Sequence, residues 1–187
     1  MALVVQPPLI FGTILLGINF NMKNQRGFTF IELILYVAIV TIILSAIVPF
    51  AWSAIETGVK SAVQQEVNAN ARYMSEIIKY EIRRASEITT VTSPSISLAN
   101  FSPDTTTVID LSGGNIRINK NGGGAVDLNS ANTVINSLTF TNYTSGDNKT
   151  KHIQFTINIA ASFAAARQEY QDSVVLESSS EVRSNPL

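Results

Sequence analysis

From Phe28 to Ile55 the chain carries a single formally charged side chain, Glu32. A run of about 20 apolar residues is long enough to cross a bilayer as a helix. An ionised carboxylate there costs of order a few kcal/mol even on lenient scales, so it needs a partner and a purpose. Phe28 to Val48 is apolar around nearly all helical faces, the pattern of a segment solvated by lipid. Pro49 removes one backbone donor and is expected to bend or locally melt the helix.

Beyond Pro49 the pattern becomes one-sided. Ile55, Val59, Val63, Val67, Ala71, Met74, Ile78, Ile82, Ala85 and Ile88 recur at steps of three or four, an amphipathic stripe at helical period. Residues 28–55 are therefore read as a membrane or core segment and 56–92 as the amphipathic half of the same helix. The regular pattern runs to about Ile88, and Ser93-Pro94 closes it. Glu56, Glu66, Glu76, Glu81 and Glu87 are read as a solvated face, and Lys79, Arg83 and Arg84 as salt-bridged surface.

Residues 93–187 change character, becoming rich in Ser, Thr, Asn and Gly. Thr107–Leu111 and Asn115–Asn119 alternate and flank Ser112-Gly113-Gly114, a hairpin signal. Val134–Phe140 is a further strand, with Val134, Leu138 and Phe140 expected on one side and Ile135 unassigned. Lys151–Ala160 alternates most clearly, and Ser173–Glu177 is a last candidate. Ala160–Ala166 is open between loop and short helix, and Ser178–Leu187 reads as a loose polar tail. The expected fold is α+β: a long N-terminal helix packed on a small antiparallel sheet.

Residues 1–27 read as a leader. Lys23 and Arg26 precede the apolar run and favour the cytoplasmic side for that end, with the C-terminal part exported. Met22 reads as the start, with residues 1–21 as an upstream extension; the alternative is a real, extended leader that begins at Met1. Formal net charge is -1, which argues against a nucleic-acid-seeking surface. Cysteine is absent, so disulfides and thiol chemistry are excluded.

The segment Met22-Lys23-Asn24-Gln25-Arg26-Gly27 followed by Phe28-Thr29-Phe30-Ile31-Glu32 resembles the N-terminus of type IV prepilins and of the pseudopilins of type II secretion. That pattern is a basic leader, a Gly, a Phe or Met, a Thr or Ser, two apolar residues, a Glu and a long apolar helix. Phe30 departs mildly, standing where Leu is commoner, and Pro49 falls where many members carry a kink-inducing proline. The resemblance implies cleavage after Gly27 by a prepilin peptidase and methylation of the new N-terminal amine of Phe28. It also implies that Glu32 engages the terminal amine of a neighbouring subunit. Two unit charges about 4 Å apart interact by about 4 kcal/mol at an effective dielectric of about 20. The implied partners are other pilin or pseudopilin subunits, the peptidase and methyltransferase, an inner-membrane assembly platform and the membrane itself. The implied location is a single pass in the cytoplasmic membrane, then an extracellular or periplasmic filament. The leading expectation is a structural subunit, a minor pilin or pseudopilin. The alternatives are a DNA-uptake pilin and a membrane-tethered adhesin-like module.

Catalysis finds little support, and neither a cofactor nor a metal site is expected. The single histidine, His152, stands at a predicted strand start and reads as solvated or half-buried. Gly122-Gly123-Gly124 lacks the Lys-Ser/Thr ending of a phosphate loop and reads as a turn.

Overall fold

The computed structural model describes residues 27–147, 149–163 and 167–183. Residues 1–26 of the leader, with its proposed start and its basic residues Lys23 and Arg26, lie outside them. So do residues 164–166 and 184–187. The chain divides into two compact units, Met1–Ala46 and Ile47–Leu187.

Helix α1 covers Phe30–Arg84. Thr29 starts it: its hydroxyl accepts from the Glu32 N–H at 3.3 Å and its carbonyl accepts from the Leu33 N–H at 3.1 Å. A hydroxyl at that position satisfies one of the amide donors left unpaired in the first turn. Glu32 in the first turn and Arg83 and Arg84 in the last match the sign of the helix dipole at each end. Pro49 lies inside α1 without ending it, so the expected local melting does not occur. One missing donor leaves the flanking turns bonded.

In the first unit, the described residues make only the opening turns of α1, and their apolar side chains are exposed throughout. The second unit is built differently. Val63, Val67, Ala71, Met74, Ile78 and Ile82 of α1 are buried against strands of two antiparallel sheets, with Ala85 following them. The predicted stripe is therefore the core face, although its first member, Ile55, remains 61% exposed.

The expected α+β class and antiparallel pairing hold, and the strands divide into two sheets. The first has order β1-β2-β3-β4-β5: Ala85–Thr92, Ser95–Asn100, Thr106–Ser112, Asn115–Lys120 and Ala125–Asp127. The second has order β6-β7-β8: Thr133–Asn142, His152–Ala161 and Ser173–Glu181. Ile96, Leu98, Ile109 and Ile116 from the first sheet and Leu138, Ile153, Phe155 and Ile157 from the second meet the helix stripe in one core. The Ile135 N–H donates to the Gly114 carbonyl at 2.8 Å, tying β6 to the β3–β4 turn.

Several sequence expectations need correction. The helix stops at Arg84, and Ala85–Thr92 is a strand. Ile88 to Thr92 is wholly β-branched and finds a ladder partner in β2, with Ile88 opposite Leu98. In β6 the register shifts between Ile135 and Ser137. This bulge puts Ile135, Leu138 and Phe140 in the core and leaves Val134 half-buried. Ser178–Glu181 is no loose tail. The backbone of β7 pairs with it, Phe155 opposite Ser178 and Ile153 opposite Ser180, and Val182 is buried beyond it. Within Ala160–Ala166, Ala160 and Ala161 end β7, and residues 164–166 fall outside the described chain.

The β3–β4 hairpin is as expected. Its two turn residues, Gly113 and Gly114, have φ of 61° and 80°, the doubly left-handed turn whose twist matches paired strands.

Candidate functional site

The residues singled out in sequence gather at the start of α1. Gly27 is exposed, and a Cβ built on it meets nothing within 4 Å. The peptide link between Gly27 and Phe28 is therefore open to an approaching protein. Phe28 is 76% exposed. From Gly27 through Ile55 every residue is exposed except Glu32, which is half-buried.

Tyr36 lies beside Glu32. Its hydroxyl donates to Glu32 Oε1 at 3.1 Å. Its ring meets the Phe28 ring edge-on, with centroids 6.1 Å apart and planes at 70°. Helical side chains lean toward the N-terminus, so a residue four places on reaches back over its predecessor. No cation pairs with Glu32 among the described residues, whose ion pairs all lie elsewhere. Sequence reasoning missed Tyr36. The available signal was a polar-tipped aromatic at i+4 from the lone acid in an otherwise apolar run.

Glu81 is the second acid of α1 in apolar surroundings and corrects the expectation of a solvated acidic face. It is 2% exposed. Lys120 Nζ of β4 lies 2.7 Å from its Oε1 and Arg84 Nε lies 4.0 Å from its Oε2. Arg84 also bonds Asp104. The guanidinium holds the Asp104 carboxyl below the ordinary aspartate range, and Asp104 raises Arg84 in return. The Asn121 amide donates to Asp104 at 3.2 Å, while its oxygen accepts from the Thr105 and Thr106 N–H groups. These bonds lock the C-terminal end of α1 to the first sheet.

Elsewhere, Lys79 pairs with Glu76 at 2.7 Å, as expected of salt-bridged surface. Glu66 accepts from Ser130 and Asn132, each at 3.1 Å, holding the loop before β6 to the helix. His152 opens β7, half-buried, with its ring 6.5 Å from that of Tyr143. Gly122-Gly123-Gly124 falls in the turn between β4 and β5. Among the described residues no group of three or more His, Asp or Glu side chains could hold a metal ion.

A helix long and apolar enough to cross a membrane is followed by antiparallel sheets that share a core with its second half, an α+β arrangement. Residues 22–48 match the prokaryotic N-terminal methylation motif, so the chain carries the hallmark of the type IV pilin family. No curated protein and no solved structure matches the chain.

Proposed function

We propose that this protein is a structural subunit, a minor pilin or pseudopilin, of a type IV pilus-like or type II secretion filament. A prepilin peptidase cuts after Gly27, the amine of Phe28 is methylated, and the subunit is drawn from the cytoplasmic membrane by an assembly platform. The sheet-bearing unit is exported, and the apolar start of α1 passes from lipid into the filament, with Pro49 as the kink. The observation that carries this reading is the pairing of a bare apolar helix with a carboxylate that has no cation among the described residues. Lys23 and Arg26 leave with the leader, so cleavage removes the two cations that precede the apolar run in sequence and creates one amine. An acid in apolar surroundings is stabilised when such an amine of a neighbouring subunit meets it.

The reading is tested with the full chain in cells that process other prepilins. Glu32→Gln is expected to be trimmed normally, as N-terminal mass analysis of the membrane fraction would report, and to be lost from sheared filaments. Replacing Gly27 by a bulky residue such as Leu is expected to leave the heavier precursor. A wild-type chain that keeps its leader there would reduce the protein to a tethered β-rich module.

A further inference from the structure

We infer that Tyr36 is a positioning residue for assembly: its hydroxyl holds one oxygen of Glu32 and leaves the other presented to an incoming amine. The inference rests on the proposed role of Glu32 and adds a residue to it.

Three observations meet at this point. The Tyr36 hydroxyl is 3.1 Å from Oε1, and no described residue hydrogen-bonds Oε2. Glu32 is the one residue from Gly27 through Ile55 that is not exposed. Thr29 supplies the first member of a capping box, with its hydroxyl on the Glu32 N–H at 3.3 Å. In such a box the glutamate at this place turns back onto the backbone N–H of the capping residue. Here the carboxylate is taken by Tyr36 instead, one turn further into the helix.

Elementary chemistry assigns a consequence to that choice. A carboxylate among apolar side chains is an acceptor with about four lone-pair sites and no water to fill them. A free side chain would sample several rotamers and turn toward its own helix start. A donor at i+4 fixes one of them. The same tyrosine ring rests against Phe28, the residue whose amine cleavage would release. Tyr36 therefore touches both members of the proposed contact on one chain, the acid and the side chain of the new terminus. Phenylalanine at position 36 would keep the ring contact and lose only the donor, which separates the two roles.

The test uses the full chain and two readouts. In cells, the fraction of trimmed subunit found in sheared filaments is compared for wild type, Tyr36→Phe, Glu32→Ala and the double variant, with trimming after Gly27 as the check on membrane insertion. Tyr36→Phe should be trimmed normally and incorporated about tenfold less, the scale of one hydrogen bond to a charged group. It should add nothing in the Glu32→Ala background. In phosphatidylcholine vesicles, the ring Cζ signal of 13C-labelled Tyr36, assigned by its absence from Tyr36→Phe, should move on Glu32→Ala. An unmoved signal overturns the inference whatever the variants do in cells. If Glu32→Gln fails to assemble while Tyr36→Phe assembles as wild type, the inference falls and the role of Glu32 stands. If Glu32→Gln assembles normally, both fall.

Discussion

Glu32 and Glu81 are two acids on one helix, and their surroundings divide the molecule. Glu81 is buried and paired within the chain, to Lys120 at 2.7 Å, with Arg84 near its other oxygen. Glu32 stands among exposed apolar side chains and receives one neutral donor, Tyr36. The second unit supplies its own counter-charges and its own cover. The described residues of the first unit, 27–46, supply no cation and leave their apolar side chains bare. Apolar surface left bare by its own chain needs lipid or another protein, and a carboxylate left without a cation needs one from outside. The same helix thus contributes to folding at one end and leaves its apolar side chains bare at the other.

The most severe test of that division compares two apolar truncations. Phe155 is 1% exposed and packs 6.3 Å from the Phe140 ring. Phe155→Ala should cost about 3–5 kcal/mol of stability, the transfer loss plus the cavity left behind. Ile39, 46% exposed in the first unit, should change stability by less than about 0.5 kcal/mol when cut to Ala. Urea midpoints of the full chain in detergent, read by the β-sheet circular dichroism signal, measure both. A comparable loss at Ile39 would mean that the sheets depend on the apolar run, and the division would fail.

A smaller effect is expected at the paired acid. Lys120→Met removes the main counter-charge and leaves Glu81 nearly buried, with only Arg84 at 4.0 Å. The cost should be about 1–3 kcal/mol in the same assay, because a desolvated carboxylate loses its closest partner. The lysine side chain is 37% exposed, which keeps the loss below that of a fully buried pair. Glu32→Gln should leave the same midpoint unchanged. Gly114→Ala comes next, at about 1–2 kcal/mol. Its φ of 80° is left-handed, and the new Cβ would sit 2.8 Å from Val134 Cγ2.

How much of this was legible in sequence follows from which signals are local. The Val63 to Ala85 stripe could be read because helical period places its members on one face whatever they pack against. β3, β4 and β7 could be read because alternation and the Gly-Gly turn are local too. The helix end was misplaced because Ala85 and Ile88 continue the three-residue step while already belonging to a strand. β5 left no signal, since all three of its residues are exposed. The side of Ile135 depended on a bulge, which shows only in the pairing with β7. Ser178 to Glu181 looked loose because its order comes from a backbone ladder rather than from apolar side chains. At the candidate site, Gly27, Phe28 and Glu32 stood out by motif. Tyr36 did not, because a tyrosine in an apolar run reads as bulk until its hydroxyl is seen on the acid. Glu81 looked like the other four acids of the stretch because Lys120, 39 positions away by number, gives no local mark.

The faintest expected effect is a pH dependence confined to the second unit. Arg84 bonds Asp104 and holds its carboxyl below the ordinary aspartate range. The unfolded chain then binds more protons than the folded one through the acid window, so stability rises with pH across it. The contribution is complete above the ordinary aspartate range and is lost as pH falls through the depressed folded value. Asp104→Asn should therefore flatten the acid limb of a plot of urea midpoint against pH and leave its neutral part changed only by the lost pair. The effect is small because the Asp104 and Arg84 side chains are 25% and 30% exposed, and solvent screens such pairs. Glu76 and Asp147 are depressed as well, so a residual slope should survive the substitution. An acid limb identical to wild type would show that the Arg84–Asp104 contact does not join the end of α1 to the first sheet in solution. The second unit would then hold its helix through the apolar stripe, the Glu81–Lys120 pair and the Glu66 bonds to Ser130 and Asn132.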